Sequence, residues 1–246
     1  MSASPGQARW LIVNADDFGQ SAAINRGVIA AHEWGIVTSA SLMIRWPSSA
    51  EAAAYARSRP RLSLGLHVDL GEWAYRDETW VTLYQVARTD DSQGLAGELA
   101  RQLESFRKLV GAEPSHLDSH QHVHREEPLR TLMVESARGL GIPLRDAASH
   151  VRYDGSFYGQ SSRGYPVPEA IRADALVRLI ETLPAGITEL GCHPGTADDG
   201  LATMYRAERA QELRALCDPE VGAAVRSSGV HLCSFHDLPV SGIEPG

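Results

Sequence analysis

The run His116-Leu117-Asp118-Ser119-His120-Gln121-His122-Val123-His124 packs four histidines and an aspartate into nine residues. Imidazoles cost free energy to bury without partners, so packing does not account for such a density, whereas metal ligation and proton transfer do. On an extended backbone His116, Asp118, His120, His122 and His124 would share one face. Alternate residues about 6.6 Å apart cannot all reach one ion, so some must support the others. Asp16 and Asp17 are adjacent, and in an extended segment they face opposite ways, each with its own environment. One suits an oxygen ligand to a metal, the other a free carboxylate that takes a proton from a metal-held water; an Asx turn or helix cap is the structural alternative. His67, between Gly65-Leu66 and Val68-Asp69, adds an imidazole, and one carboxylate with two imidazoles leaves coordination positions open for water and substrate. His193 opens His193-Pro194-Gly195, where proline and glycine restrict the backbone, and a histidine titrating near neutrality suits proton donation to an amine leaving group. His32, His150 and His231 are isolated and read as helix-surface, loop and strand residues; His236 has no partner motif.

These residues need a scaffold that gathers distant segments, and the hydrophobic pattern supplies one. Short β-rich runs alternate with amphipathic stretches: strands at Trp10 to Val13, Val37 to Ile44, Leu62 to Leu66, Ser115 to Ser119, Ile142 to Leu144, Ile187 to Gly191 and Val230 to Ser234. Between them, helices are expected over Ala22 to Trp34, capped by Ser21 and stopped by Gly35, and after a Ser48/Glu51 capping box. Further helices are expected over 95–110, 128–140, 169–183 and 205–216. Seven β-α units predict a single α/β domain over residues 1–246, built as a parallel barrel or sheet. The polar candidates fall at the carboxyl ends of the strands: Asp16 and Asp17, His67 and Asp69, the histidine cluster, Arg145, His193, and His236 with Asp237. Two aromatic-bearing stretches, 71–94 and 146–168, read as functional loops, packing against the body of the domain being the alternative.

Composition narrows the partners. In 246 residues, 31 acidic against 23 basic side chains leave a net charge of −8, with one lysine (Lys108) and no basic run, so nucleic acid is not an expected partner. No apolar stretch approaches a membrane span, and Met1 to Gln7 lacks a signal-peptide core. Cys192, Cys217 and Cys233, an odd number without CxxC spacing, indicate neither disulfides nor a thiolate zinc site. A cytoplasmic protein is expected.

Taken together, Leu11-Ile-Val-Asn-Ala-Asp-Asp-Phe-Gly19, Gly35-Ile-Val-Thr-Ser39, Gly65-Leu-His-Val-Asp69, the run 116–124 and His193-Pro-Gly195 resemble the motifs of the YdjC-like carbohydrate deacetylases, in that family's order. The resemblance implies a distorted, TIM-barrel-like (β/α)7 barrel, in keeping with the strand count, and hydrolysis of N-acetyl groups on amino sugars with one divalent ion, Mg or Zn, Trp73, Trp80 or Tyr158 being available to stack on the sugar faces. It implies Asp17, His67 and His120 as metal ligands, Asp16 as general base and His193 as general acid. Asp118, His122 and His124 would orient ligands or line the sugar pocket, and Arg145 would steady Asp16 or bind substrate. The partner expected is a small carbohydrate, with a homodimer as a compatible assembly. Two other readings stay open: an iron oxygenase using His67-x-Asp69 and a distant histidine as a facial triad, and a non-catalytic sugar- or metal-binding protein.

Overall fold

Continuous apolar runs fix the centre of the fold, because a strand covered on both faces has no polar side to show. The structure, a computed structural model, describes residues 8–196 and 200–238; Met1 to Gln7, expected to carry no signal-peptide core, lies outside them. In chain order the elements are β1 (Arg9–Phe18), α1 (Ala22–Trp34), β2 (Ser39–Leu42), α2 (Ser49–Arg57), β3 (Ser63–Val68), β4 (Gly71–Arg76), β5 (Thr79–Gln85) and α3 (Ser92–Val110). There follow β6 (Leu117–Ser119), a 3-10 segment (His120–Arg125), α4 (Leu129–Leu140), β7 (Val151–Asp154), α5 (Ala173–Glu181), β8 (Gly186–Cys192), α6 (Ala207–Leu216), α7 (Pro219–Ser228) and β9 (Val230–Leu232). Seven strands form one parallel sheet in the order β6-β3-β2-β1-β8-β7, with β9 beside the start of β1, and the sheet curls into a distorted (β/α) barrel. Among the described residues no helix is long and apolar enough to cross a membrane.

Register explains how the two faces of the sheet divide their work. Parallel neighbours share a face, so the pairs Asn14↔Ser39, Ser41↔Gly65, His67↔Asp118 and Asn14↔Gly191 put Asn14, Ser39, Ser41, His67 and Asp118 together on the concave side. The alternate residues Leu11, Val13, Ala40, Leu42, Leu64, Leu66, Leu117 and Leu190 face outward into the main core, under the helices. The barrel is therefore polar inside and apolar outside. At its base Ile12 and Ile187 close over Cys233 and Phe235 of the C-terminal segment.

Several local expectations need correction. α1 has the expected bounds, and the Ser21 hydroxyl accepts from the Ile24 N–H as a cap. Ser48 makes no such bond; Glu51 instead accepts from the Asn25 side chain at 2.8 Å, so the spacing is not a capping box. Ile142 to Leu144 contributes one bridge, Leu144 to Leu117, and the seventh strand of the sheet is β7, inside a stretch that reads as loop in the sequence. The other such stretch folds as the antiparallel hairpin β4-β5. Helix α7, with Pro219 at its first turn and Asp218 as cap, is an addition to the expected elements.

The loop after β8 is held between α1 and α6. Gly195 N–H donates to Arg209 O at 3.1 Å, and Thr196 N–H to Ala23 O at 3.0 Å. That closeness needs Gly27: a Cβ there would sit 2.4 Å from Gly195 Cα and 2.5 Å from its nitrogen, both backbone atoms. Gly27→Ala is expected to cost about 1–3 kcal/mol, as overpacking of a closed contact does. It should also displace His193, so urea unfolding and the His193 imidazole NMR resonances should both register the change; a variant indistinguishable from the parent in both would contradict the contact.

Candidate active site

The concave face can be followed upward from the base. His116 stacks on Phe235 with ring centroids 3.9 Å apart, and Gly65 makes room for it, since a Cβ there would lie 2.4 Å from the imidazole. The hydroxyls of Ser41 and Ser115 lie 3.0 and 2.9 Å from its two nitrogens. Burial drives its pKa down to about 3, although Asp118 pulls the other way, so His116 is a neutral packing group.

Above it lies a buried guanidinium. Arg145 donates through Nη1 to Asp16 Oδ2 at 2.7 Å and through Nη2 to Asp16 Oδ1 at 2.8 Å; Nη2 is also 2.9 Å from Asp118 Oδ2, and Nε donates to Glu189 at 2.8 Å. Asn14 adds a bond to Asp16 Oδ1 at 2.8 Å, and Ser41 one to Asp118 Oδ2 at 2.7 Å. Burial alone would raise the pKa of Asp16, but the guanidinium outweighs it and holds the carboxyl below its usual range. Glu189, for which burial wins, is pushed up to about 7.

At the top Asp17, His67 and His120 converge. Asp17 adopts φ +63°, and this left-handed step turns it to the same cavity as Asp16, against the alternation expected of an extended pair. Its Oδ1 is 2.9 Å from His120 Nδ1 and 3.3 Å from His67 Nε2, and one ligand atom from each of the three residues lies within 4.8 Å of the others. Ligands bonded at about 2.0–2.2 Å and subtending roughly 90–110° lie about 2.9–3.4 Å apart, so the two distances fit a shared divalent ion. His67 donates through Nδ1 to Asp118 Oδ1 at 2.8 Å, which turns Nε2 toward the site, the arrangement by which a carboxylate orients a metal-binding imidazole. A second grouping, Asp16 with His67 and Asp118, has both its carboxylates bound by the one guanidinium of Arg145. Burial opposes the charged forms, but Arg209 and His120 hold Asp17 well below the usual carboxylate range, while Asp118 raises His67 and Asp17 raises His120 to about 9.

These groups open into a cavity of about 710 Å³ lined by Asp16, Asp17, His67, His120, His122 and His193, with Trp73, Trp80 and Tyr158 on its walls. His122 faces Tyr153, whose hydroxyl lies 3.3 Å from Nε2. His124 is not among the lining residues; its Nδ1 and N–H are both bound by the Ser119 hydroxyl, at 2.7 and 2.9 Å. The cluster cannot share a strand face, because the strand ends at Ser119 and Gln121 and His122 take φ of 51° and 54°. His193 Nε2 is 3.8 Å from Asp16 Oδ2. Burial holds His193 down to about 4 despite both aspartates, so at neutral pH the resting imidazole is uncharged rather than half-titrated.

Three buried charged residues carry no signal in the sequence motifs. Glu212 accepts from the His193 N–H and the Tyr205 hydroxyl, and burial pushes its carboxyl up to about 8. Glu72 places Oε2 3.7 Å from His120 Nε2. Arg209 donates from Nη2 to Asp17 Oδ2 at 2.6 Å. Asp69, by contrast, turns away: Arg45, Trp46, Tyr84 and the Gly71 N–H occupy its oxygens, so the His67-x-Asp69 triad is not formed.

The family model for YdjC-like proteins matches residues 10–227. The chain belongs to the YdjC-like protein family. A carbohydrate deacetylase of Geobacillus stearothermophilus is 32% identical over 94% of this chain and 98% of its own length. A chitooligosaccharide deacetylase of Serratia marcescens is also 32% identical, over 94% and 99%. A solved structure from Enterococcus faecalis V583, whose name refers to cellobiose-phosphate cleavage, superimposes with a TM-score of 0.72 at 26% identity over 93% of this chain and 98% of that one.

The neutral His116 makes stability depend on pH with a definite sign. Its pKa is about 3 when folded and 6.5 for a histidine free in water, so between those values the unfolded chain binds a proton that the folded chain refuses. Unfolding free energy therefore falls on acidification through this window, by up to about 1.4 kcal/mol per pH unit from one such group. In urea titrations at pH 6.5, 5.5 and 4.5, His116→Gln should flatten that fall by about one proton; an unchanged slope would refute the assignment.

Proposed function

We propose that this protein is a metal-dependent hydrolase that removes acetyl groups from the nitrogen of amino sugars or short N-acetylated oligosaccharides. The observation that carries this reading is the convergence of Asp17, His67 and His120 in a sugar-sized cavity that also presents Asp16 and His193. The names of the Geobacillus and Serratia relatives support it. A divalent ion held by Asp17, His67 and His120 supplies Lewis-acid polarisation of the acyl oxygen and lowers the pKa of an adjacent water. Two imidazoles and one carboxylate suit zinc or a similar first-row ion better than magnesium, which prefers all-oxygen surroundings.

Within that frame, Asp16 is the base. Both its oxygens are bound by Arg145, so it stays ionised and cannot swing round to become another ligand. His193 carries the proton onward to the departing nitrogen. A neutral imidazole 3.8 Å from Asp16 suits a relay that must accept before it donates, and Glu212 fixes the loop through the His193 N–H. Asp118 orients His67, and Trp73, Trp80 and Tyr158 offer flat faces for pyranose rings. We place the enzyme in the cytoplasm, in keeping with its three unpaired cysteines.

The decisive assay is acetate release from N-acetylated mono- and disaccharides. Chelation should abolish release and zinc restore it. Asp16→Asn and His193→Ala should each lower kcat about 100-fold or more; an Asp16→Asn enzyme as active as the parent, or tight sugar binding by the metal-loaded protein without acetate release, rejects the reading. Trp80→Ala, which removes a half-exposed wall of the cavity, should raise KM with kcat within about twofold of the parent.

A further inference from the structure

Arg209 projects from α6 with only 5% of its surface exposed. Its Nε donates to Tyr205 O at 2.9 Å and its Nη2 to Asp17 Oδ2 at 2.6 Å, but Nη1 is buried with no hydrogen-bond partner among the described residues. Arg145, the other guanidinium beside the aspartates, has carboxylate partners for Nε, Nη1 and Nη2. A guanidinium stays charged at any accessible pH, so an unpaired N–H on it is a costly thing to bury. Neutralising Asp17 does not require that second amino group, because Nη2 alone makes the contact and an ammonium would serve. Arg209 is also a wall of the cavity, beside Asp17, His193 and Tyr205.

We propose that Arg209 is a further catalytic residue: its Nη1 N–H donates to the acyl oxygen of the substrate and stabilises the negative charge that gathers there. The inference rests on the deacetylase reading above. As the water oxygen bonds to the acyl carbon, the π pair of the C=O bond moves onto this oxygen and the water proton passes to Asp16. When the C–N bond breaks, its electron pair leaves with the nitrogen, which takes the relayed proton, while the pair on the acyl oxygen re-forms the C=O bond; the acetic acid so formed keeps an oxygen at Nη1 and passes its remaining proton to the free amine, leaving acetate and an ammonium. The guanidinium gives up no proton. A charge-assisted donor of this kind is strongest when the oxygen is anionic, so it lowers the barrier more than it tightens substrate binding.

The test is R209K in the zinc-loaded protein, because lysine keeps a positive charge beside Asp17 while deleting Nη1. The expected result is a kcat/KM lower by about 100-fold, the loss typical of one oxyanion donor. Affinity for a methylphosphonamidate analogue of the acetamide should fall by the same factor, with the zinc Kd within about threefold of the parent. If R209K does not fold, the unmodified protein still decides: the Arg209 side-chain N–H resonances should shift when the analogue binds. A kcat/KM within threefold of the parent, resonances that do not respond, or a zinc Kd weakened as much as kcat/KM would overturn the proposal, the last by reducing Arg209 to a support for Asp17. A parent protein that releases acetate while R209K matches it sinks this inference alone; a parent that releases none sinks the deacetylase reading and this inference with it.

Discussion

The buried contact between Arg145 and three carboxylates is the constraint on which the rest of the barrel depends. Asp16, Asp118 and Glu189 come from three different strands and lie within hydrogen-bond distance of one guanidinium. Unpaired, each would be expelled to water or protonated; a broken buried pair typically costs about 3–5 kcal/mol. The planar fork of arginine meets Asp16 through both nitrogens, a geometry that lysine cannot copy. Through Asp118 the same cation reaches His67, and through His67 it sets one corner of the cluster around Asp17. The site is thus held from beneath, by electrostatics in the barrel interior.

Where a parallel barrel usually fills its inside with branched aliphatics, this one places serine, asparagine, histidine and aspartate. The apolar residues lie on the outer face, where helices cover them. Such an interior depends on its polar groups finding one another: Ser63 donates to Ser39 near the base, and above them Asn14 donates to both Ser41 and Asp16. Above them Arg209 and His120 face the charge of Asp17, and the pKa values of His67 and His120 are raised by Asp118 and Asp17, so both imidazoles hold protons. A divalent ion would take the place of those protons, so binding should release them.

How much of this is legible in the sequence follows from where the signals sit. The strand-end aspartates and histidines are readable because ionisable residues interrupt apolar runs there, and α1 is readable because Ser21 and Gly35 bracket it. The alternation Ser39-Ala40-Ser41-Leu42 already carries the inverted interior, but a serine at a half-buried position looks like ordinary solvent exposure. The β4-β5 hairpin is hidden because its turn uses Asp77 and Glu78, both at positive φ, where Asn-Gly would have announced it. Arg209, Glu212 and Leu216 lie at helical spacing on one buried stripe of α6, and charged residues on such a stripe read as a solvated face until the partners, Asp17 and the His193 loop, are seen. The true seventh strand is hidden for a simpler reason: of its four residues only Val151 is buried.

The histidine cluster shows why residue type outran geometry. A strand continued past Ser119 would have sent alternate side chains to opposite faces and carried His120 along the barrel axis. Instead Gln121 and His122 take two successive left-handed conformations, each unfavourable by about 1–2 kcal/mol for a residue with a Cβ. Gln121 recovers part of that cost, since its side-chain amide accepts from the Trp73 N–H and donates to Trp73 O, both at 2.9 Å, pairing with the hairpin as another strand would. The chain thus leaves the strand at His120, whose imidazole lies against Asp17, and the next residue, Gln121, fastens the hairpin that carries Glu72 and Trp73 over the cavity. Part of the strain and its compensation therefore fall on the same amino acid, and through it the segment carrying the His120 imidazole is tied directly to the hairpin carrying the Trp73 wall.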